Sequence, residues 1–223
     1  MFVLDKQAIK FYYKVRHRRG HGIHSPFVYN LIVNVIENKL SFYAFRDIQD
    51  YIQQETSKKY KPKKINKLNF KLINHFQAKN ILEIGSAKGI NSLYATAPSS
   101  QIRYTCVETK EGSRKAASSL LHHWKRDVLI VDSLPKTDQI FDCILVDMKT
   151  IGKHQEVLSE YLFSHVNENS VVILNNIRTN NNVYSLVQQI RKDEHVHISL
   201  DLYKASIFFF NKKYYKRNYL LSF

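Results

Sequence analysis

From residue 80 onward, short apolar runs alternate with amphipathic stretches, a pattern that specifies a mostly parallel sheet with helices on its faces. The apolar runs predict strands at Asn80–Ile84, Arg103–Glu108, Val128–Val131, Phe141–Asp147 and Ser170–Asn175. Helices near 90–96, 111–124, 153–165 and 180–192 separate most of them. The last two runs behave differently. His195–Tyr203 alternates as V-H-I-S-L-D-L-Y, and Ala205–Phe210 follows after hardly any spacer, so these two strands must pair antiparallel.

Ahead of residue 80 the apolar spacing is helical. A basic helix is expected over Lys6–Arg19, ended by Gly20. Ser25 followed by Pro26 is an N-cap and first-turn signal for a helix whose apolar side carries Phe27, Val28, Leu31, Ile32, Val35 and Ile36. Further helices are expected at Ala44–Gln54 and Ile65–Phe76, with the lysine run around Pro62 as the loop between them. The organisation this implies is a helical extension over 1–79 and an α/β domain over 80–223, closed by a C-terminal antiparallel hairpin strand. No internal repeat is visible.

The 223 residues suffice for one domain with a substantial core, and 44% hydrophobic content argues for a folded chain. Cys106 and Cys143 both fall in apolar strand-like runs and are read as buried free thiols, which suggests a reducing compartment. The opening residues contain no apolar stretch of signal-peptide length, and no run approaches a membrane span, so the expectation is a soluble cytoplasmic protein. The net charge of +15 is unevenly distributed. Sixteen Lys and Arg oppose five Asp and Glu over residues 1–79, while thirteen of each balance over 80–200. The excess therefore sits in the extension, above all in K-K-Y-K-P-K-K-I-N-K at 58–67, and in the tail K-K-Y-Y-K-R at 212–217. Lysine interleaved with tyrosine suits phosphate contact and base stacking, so nucleic acid is one partner class; a solvated face is the other reading.

The stretch N-I-L-E-I-G-S-A-K-G-I-N-S-L-Y-A-T-A at 80–97 carries the main chemical signal. A buried strand stops at the loop Gly85, Ser86, Ala87, Lys88, Gly89, which bares backbone N–H groups for a nucleotide-like ligand. The loop is neither G-x-G-x-x-G nor G-x-x-x-x-G-K-[ST], which speaks against a nicotinamide dinucleotide fingerprint and a phosphate P-loop. Glu83, one residue from the strand end, must find donors such as loop amides or a ligand ammonium. Glu108 ends the second strand about 20 residues beyond the loop, where a carboxylate can accept both hydroxyls of a ribose or cap the turn at Glu111 to Ser113. Asp147 ends the fourth strand after C-I-L-V; in an open α/β sheet, ligands bind beyond such carboxyl ends.

An acidic strand end followed by G-x-x-x-G resembles motif I of the class I S-adenosylmethionine (SAM) methyltransferases. The wording L-E-I-G-x-x-x-G-x-x-S-L is similar to the catechol and caffeoyl-CoA O-methyltransferase branch. That resemblance implies SAM held by Glu83, Gly85, Ser86, Ala87, Gly89, Glu108 and Asp147, with Asp132 and Ser133 facing the adenine. It also implies a magnesium site from Asp147 and an Asp-Asn pair, with a lysine base three residues after the aspartate. This chain departs from that pattern: Asn175-Asn176 stands where Asp-Asn is expected, Lys149 comes after two residues, and Thr150 fills the third place. One carboxylate with two amides is a poor magnesium site, so no metal is expected.

H-G-I-H-S-P-F-V-Y at 21–29, with the closing D-L-Y-K-A-S-I-F-F-F, resembles a bacterial family of uncharacterised methyltransferase-like proteins. His21 and His24 lack a third ligand at zinc spacing. The segment reads as a lid or substrate-side wall over the carboxyl edge of the sheet, or as a capping and packing motif. The expected activity is O-methyl transfer to a small molecule, with Asp147, Lys149, His24 and Asn175 as catalytic candidates. The rivals are an RNA methyltransferase using the basic extension and a SAM-binding pseudoenzyme. No N-P-P-Y, D-P-P-Y or Pro-Cys motif follows the fourth strand, which argues against the usual base-methylating classes. The aromatic N-terminal helices can pack on their own core or on a second copy, so monomer and homodimer both stand.

Overall fold

The computed structural model describes residues 12–13, 21–221 and 223. Most of the basic helix expected at Lys6–Arg19 lies outside them; Tyr12 and Tyr13 are helical. Helix α1 (Pro26–Leu31) starts where Ser25 accepts a hydrogen bond from the Val28 amide, and it widens into a π-turn over Ile32–Ile36. Helix α2 (Tyr43–Thr56) buries Phe45, Ile48 and Ile52, spaced to share one helical face, and α3 (Lys64–Phe76) buries Leu68, Leu72 and Ile73. Both stop at residues in the left-handed region, Ser57 and Gln77.

The strands are β1 (Asn80–Ile84), β2 (Arg103–Val107), β3 (Asp127–Val131), β4 (Cys143–Asp147), β5 (Val171–Asn175), β6 (Ile198–Asp201), β7 (Ala205–Phe209) and β8 (Arg217–Leu220). Helices α4 (Ile90–Thr96), α5 (Glu111–Leu121), α6 (Leu158–Ser164) and α7 (Asn181–Lys192) complete the set, with a short 3-10 turn at Gly152–Gln155. One eight-stranded sheet runs in the order β3-β2-β1-β4-β5-β7-β6-β8. The first five strands pair in parallel, and β7 is antiparallel to both β5 and β6. The α/β architecture and the terminal hairpin read from the sequence are therefore met. The central strands are near-continuous apolar runs because helices cover both faces.

Strand β8 was not expected. It pairs in parallel with β6, placing Arg217 opposite Ile198 and Leu220 opposite Asp201. Only Tyr219 of its four residues is buried, so its pattern reads as a basic tail until the open edge of β6 recruits it.

The N-terminal helices share the core of the sheet. Val28, Leu31, Ile32, Val35, Leu68, Leu72 and Ile73 form one apolar cluster with Ile81, Tyr104, Leu145, Ile173 and Ile207. Phe27 packs on Phe209 edge-on at 5.1 Å and stacks on Tyr214 at 4.6 Å, with Phe76 at 6.4 Å. Phe209 lies opposite Val171, the first residue of β5, so this aromatic group sits at the amino-terminal edge of the sheet. Cys106 and Cys143 are buried free thiols, as expected. Among the described residues no helix is long and apolar enough to cross a membrane.

Candidate active site at the carboxyl edge

The carboxyl ends of β1, β2, β4 and β5 bring most of the candidate residues to one edge. Gly85, Ala87 and Gly89 all have positive φ (83°, 51° and 77°), which is why the turn needs its glycines. A Cβ on Gly85 would lie 2.5 Å from Thr150 Oγ1 and 3.2 Å from the Asp147 carbonyl oxygen. The Thr150 hydroxyl donates to the Gly85 carbonyl at 2.7 Å, tying the loop after β4 to the glycine loop. Gly89 serves packing: a Cβ there would meet Ala117 and Leu121 of α5 at 3.2 Å.

Glu83 is 4% exposed, and its donors come from the protein itself. Asn91 Nδ2, Ser92 Oγ and Tyr104 OH donate to the carboxylate at 2.8, 2.7 and 2.8 Å. Burial pushes this carboxyl up from its ordinary range; the three hydrogen bonds oppose the shift and the nearby charge of Asp147 adds to it. Asn91 in turn accepts from Asn69 Nδ2 of α3 at 2.9 Å, so the polar network extends into the N-terminal helices. The Cys106 thiol beside it is pushed up to about 12 by burial and by the charge of Glu83, which makes it an inert packing group.

Glu108 is 1% exposed and bridges two segments. It accepts from the Ala87 amide at 2.8 Å and from the Lys110 amide at 2.9 Å. The donors are not those of the expected cap at Glu111 to Ser113; one belongs to the glycine loop. Asp132 and Ser133, exposed at the end of β3, bond each other at 3.1 Å.

Asp147 is half-buried, and its Oδ1 accepts from the Lys149 amide at 2.9 Å and from Asn176 Nδ2 at 2.8 Å. Asn176 adopts φ 57°, a left-handed conformation that asparagine tolerates. The neighbouring Asn175 is 8% exposed, and its Oδ1 is buried without a hydrogen-bond partner. Lys149 is exposed on the loop. The donor set does not fit a divalent metal, because Asn176 presents its amide nitrogen to Asp147 and the Asn175 oxygen is buried. Among the described residues no three His, Cys, Asp or Glu converge on a common point.

The H-G-I-H-S-P-F segment leads into α1, with Ser25 as the helix cap. Phe27 is anchored in the aromatic group at the amino-terminal edge, and exposed His24 precedes it by three residues. Asp147 lies at the other end of a five-residue strand, about 17 Å of sheet away. Ser25 and Phe27 thus cap and dock the first helix at the amino-terminal edge, and among the described residues no hydrogen bond joins exposed His24 to Asp147, Lys149 or Asn175.

Among the described residues of the N-terminal region, Tyr13 also reaches the carboxyl edge, at the end of β6. Its hydroxyl accepts from Arg178 Nη2 at 2.7 Å, and its ring packs edge-on against Tyr203 at 5.6 Å. Arg178 and Arg191 both bind the buried Asp201 carboxylate, at 3.0 and 2.7 Å. Burial alone would raise the Asp201 carboxyl, but the hydrogen bonds and charges of the two arginines hold it below its usual range. Sequence reasoning missed Tyr13, Arg178, Asp201, Asn91 and the role of Asn176. Only Asn176 carried a signal, as the second member of the unexpected Asn-Asn pair.

The sheet order β3-β2-β1-β4-β5-β7-β6, with β7 alone reversed, is the fold of the class I methyltransferases, and solved structures agree. A Staphylococcus aureus protein assigned as a caffeoyl-CoA O-methyltransferase matches with a TM-score of 0.60 and 18% identity, over 81% of this chain and 98% of that one. An O-methyltransferase from Bacillus cereus in complex with S-adenosylhomocysteine (SAH) matches at 0.57 and 17%, over 81% and 94%. An SAH-bound methyltransferase from Podospora anserina matches at 0.60 and 10%, over 84% and 97%. No family model and no curated protein matches the sequence.

Proposed function

We propose that this protein is a SAM-dependent methyltransferase transferring a methyl group to the oxygen of a small molecule. The observation that carries this reading is the convergence of the left-handed glycine loop with Glu108 and Asp147 at one edge of the sheet. The fold neighbours crystallised with SAH support it. SAM would lie along Gly85 to Gly89. Glu108, already against the loop, has further lone pairs for the ribose hydroxyls. Asp132 and Ser133, exposed at the end of β3, would border the adenine. The sulfonium methyl would face the Asp147 side, where an acceptor oxygen attacks in line. Such transfer asks mainly for positioning and for removal of one proton, so few catalytic side chains suffice.

Calorimetric titration with SAM and SAH, beside the Gly85→Asp variant, tests the reading. Micromolar binding that the variant loses is the expected result, followed by labelling of an acceptor in extract with tritiated SAM. No binding to the wild type overturns it. A second reading takes RNA as the acceptor: exposed Lys63 and Lys64 open α3, and Asn69 of that helix bonds Asn91 in the first turn of α4, just after the glycine loop. That reading requires tRNA or rRNA binding that weakens steeply with added salt.

A further inference from the structure

We infer that Asn176, and not a metal ion, positions Asp147, and that the second oxygen of Asp147 is the proton acceptor for methyl transfer; the inference rests on the methyltransferase reading. Asp147 Oδ1 is held from two sides, by the Lys149 amide and by Asn176 Nδ2. These bonds fix the plane of the carboxylate. Among the described residues none bonds Oδ2, which is thus presented at the end of β4 with its lone pairs available. The Asn176 backbone is held in its left-handed conformation by the turn that follows, where the Thr179 amide and hydroxyl donate to the Asn176 carbonyl at 3.2 and 2.7 Å. The side chain that occupies Asp147 Oδ1 is a donor, so a cation approaching that oxygen would have to displace it.

The chemistry follows from the single open oxygen. As the acceptor oxygen forms its bond to the methyl carbon, the carbon–sulfur bond breaks and its electron pair stays on sulfur, leaving a neutral thioether. The acceptor hydroxyl proton passes to Asp147 Oδ2. Sulfonium plus hydroxyl plus carboxylate becomes thioether plus methyl ether plus carboxylic acid, so charge and atoms balance without a Lewis acid. The acceptor class this favours is a hydroxyl that can hydrogen-bond to one carboxylate oxygen; a chelating diol has no advantage here. Asn176 is a positioning residue, since it acts through Asp147.

The experiment is a titration of the SAH-saturated protein with manganese chloride, for the wild type, Asn176→Asp and Asn176→Ala. The expected result is no saturable binding by the wild type or the alanine variant. Asn176→Asp should acquire binding, because a second carboxylate would then lie against the first and require a cation between them. With the acceptor that tritiated SAM labels in extract, wild-type transfer should be unchanged by chelator. Asn176→Ala should transfer at least tenfold more slowly with SAH affinity within twofold, and Asn176→Asp should transfer only when manganese is added. Saturable manganese binding by the wild type overturns the inference. So does a folded Asn176→Asp variant that binds no manganese, since the two side chains would then not converge. SAH binding is read separately, so failure of the methyltransferase reading is distinguishable from failure of this one.

Discussion

The two edges of the sheet solve the same problem in opposite ways. Both must anchor segments that lie far apart in sequence. At the amino-terminal edge the anchor is apolar: Phe27, Phe76, Phe209 and Tyr214 dock the first helix onto the strands. At the carboxyl edge the anchors are polar. Glu83 is held by three neutral donors and Glu108 by two, Asp201 by two arginines, and Asp147 on one oxygen only. A polar edge is costly to assemble and sensitive to each partner, but it alone can present a charged oxygen at a fixed place. Aromatic packing tolerates change more smoothly and offers no chemistry.

Disrupting Asp201 should give the largest effect. Asp201→Ala leaves two arginines without their shared carboxylate, and denaturant unfolding should show a loss of about 3–5 kcal/mol. The same carboxyl is held below its ordinary value in the folded protein. Its contribution is therefore complete above about pH 4 and is lost as pH falls through the depressed folded value. Acid unfolding of Asp201→Asn should lack that part of the pH dependence.

Next in size is Phe27→Ala at the opposite edge. Removing a partly buried ring from the aromatic group should cost about 2–3 kcal/mol by thermal or denaturant melts. SAH affinity of the folded fraction should not change, and a change would mean that the two edges are coupled. Glu108→Gln turns one of two accepting oxygens into a donor facing a backbone amide, which should cost about 1–2 kcal/mol in the melt, and SAH binding by the folded protein should weaken about tenfold, about 1.4 kcal/mol. Equal affinity would remove Glu108 from the cofactor site. The smallest expected effect is that of His24→Ala: unchanged SAH binding and unchanged methyl transfer. A loss of transfer without a loss of stability would return the histidine to the site.

The parts of the fold legible in the sequence were those in which local pattern and burial coincide. Asn80–Ile84 was read at its observed bounds, and the other core strands within a few residues, because strands covered on both faces must be continuously apolar. β8 escaped because Arg217–Leu220 has one buried side chain and gains its structure from a neighbour. The glycine loop was legible because positive φ leaves a compositional mark. The partners of Glu83 were not, since Asn91, Ser92 and Tyr104 are ordinary residues of a helix and a strand until the fold aims them at one carboxylate.

The sequence by itself determined the class of sheet, the position of the glycine loop, and the strand-end carboxylates, because each depends on short-range periodicity or on a backbone requirement of a single residue. Only the tertiary structure decided which edge each polar motif occupies. The same Ser-Pro cap would read alike at either end of the sheet; Phe27 finding its three aromatic neighbours put the cap at the amino-terminal edge. Tyr13 likewise reached Arg178 across 165 residues of chain, a contact that no local pattern encodes because its energy comes from burying a shared ion pair.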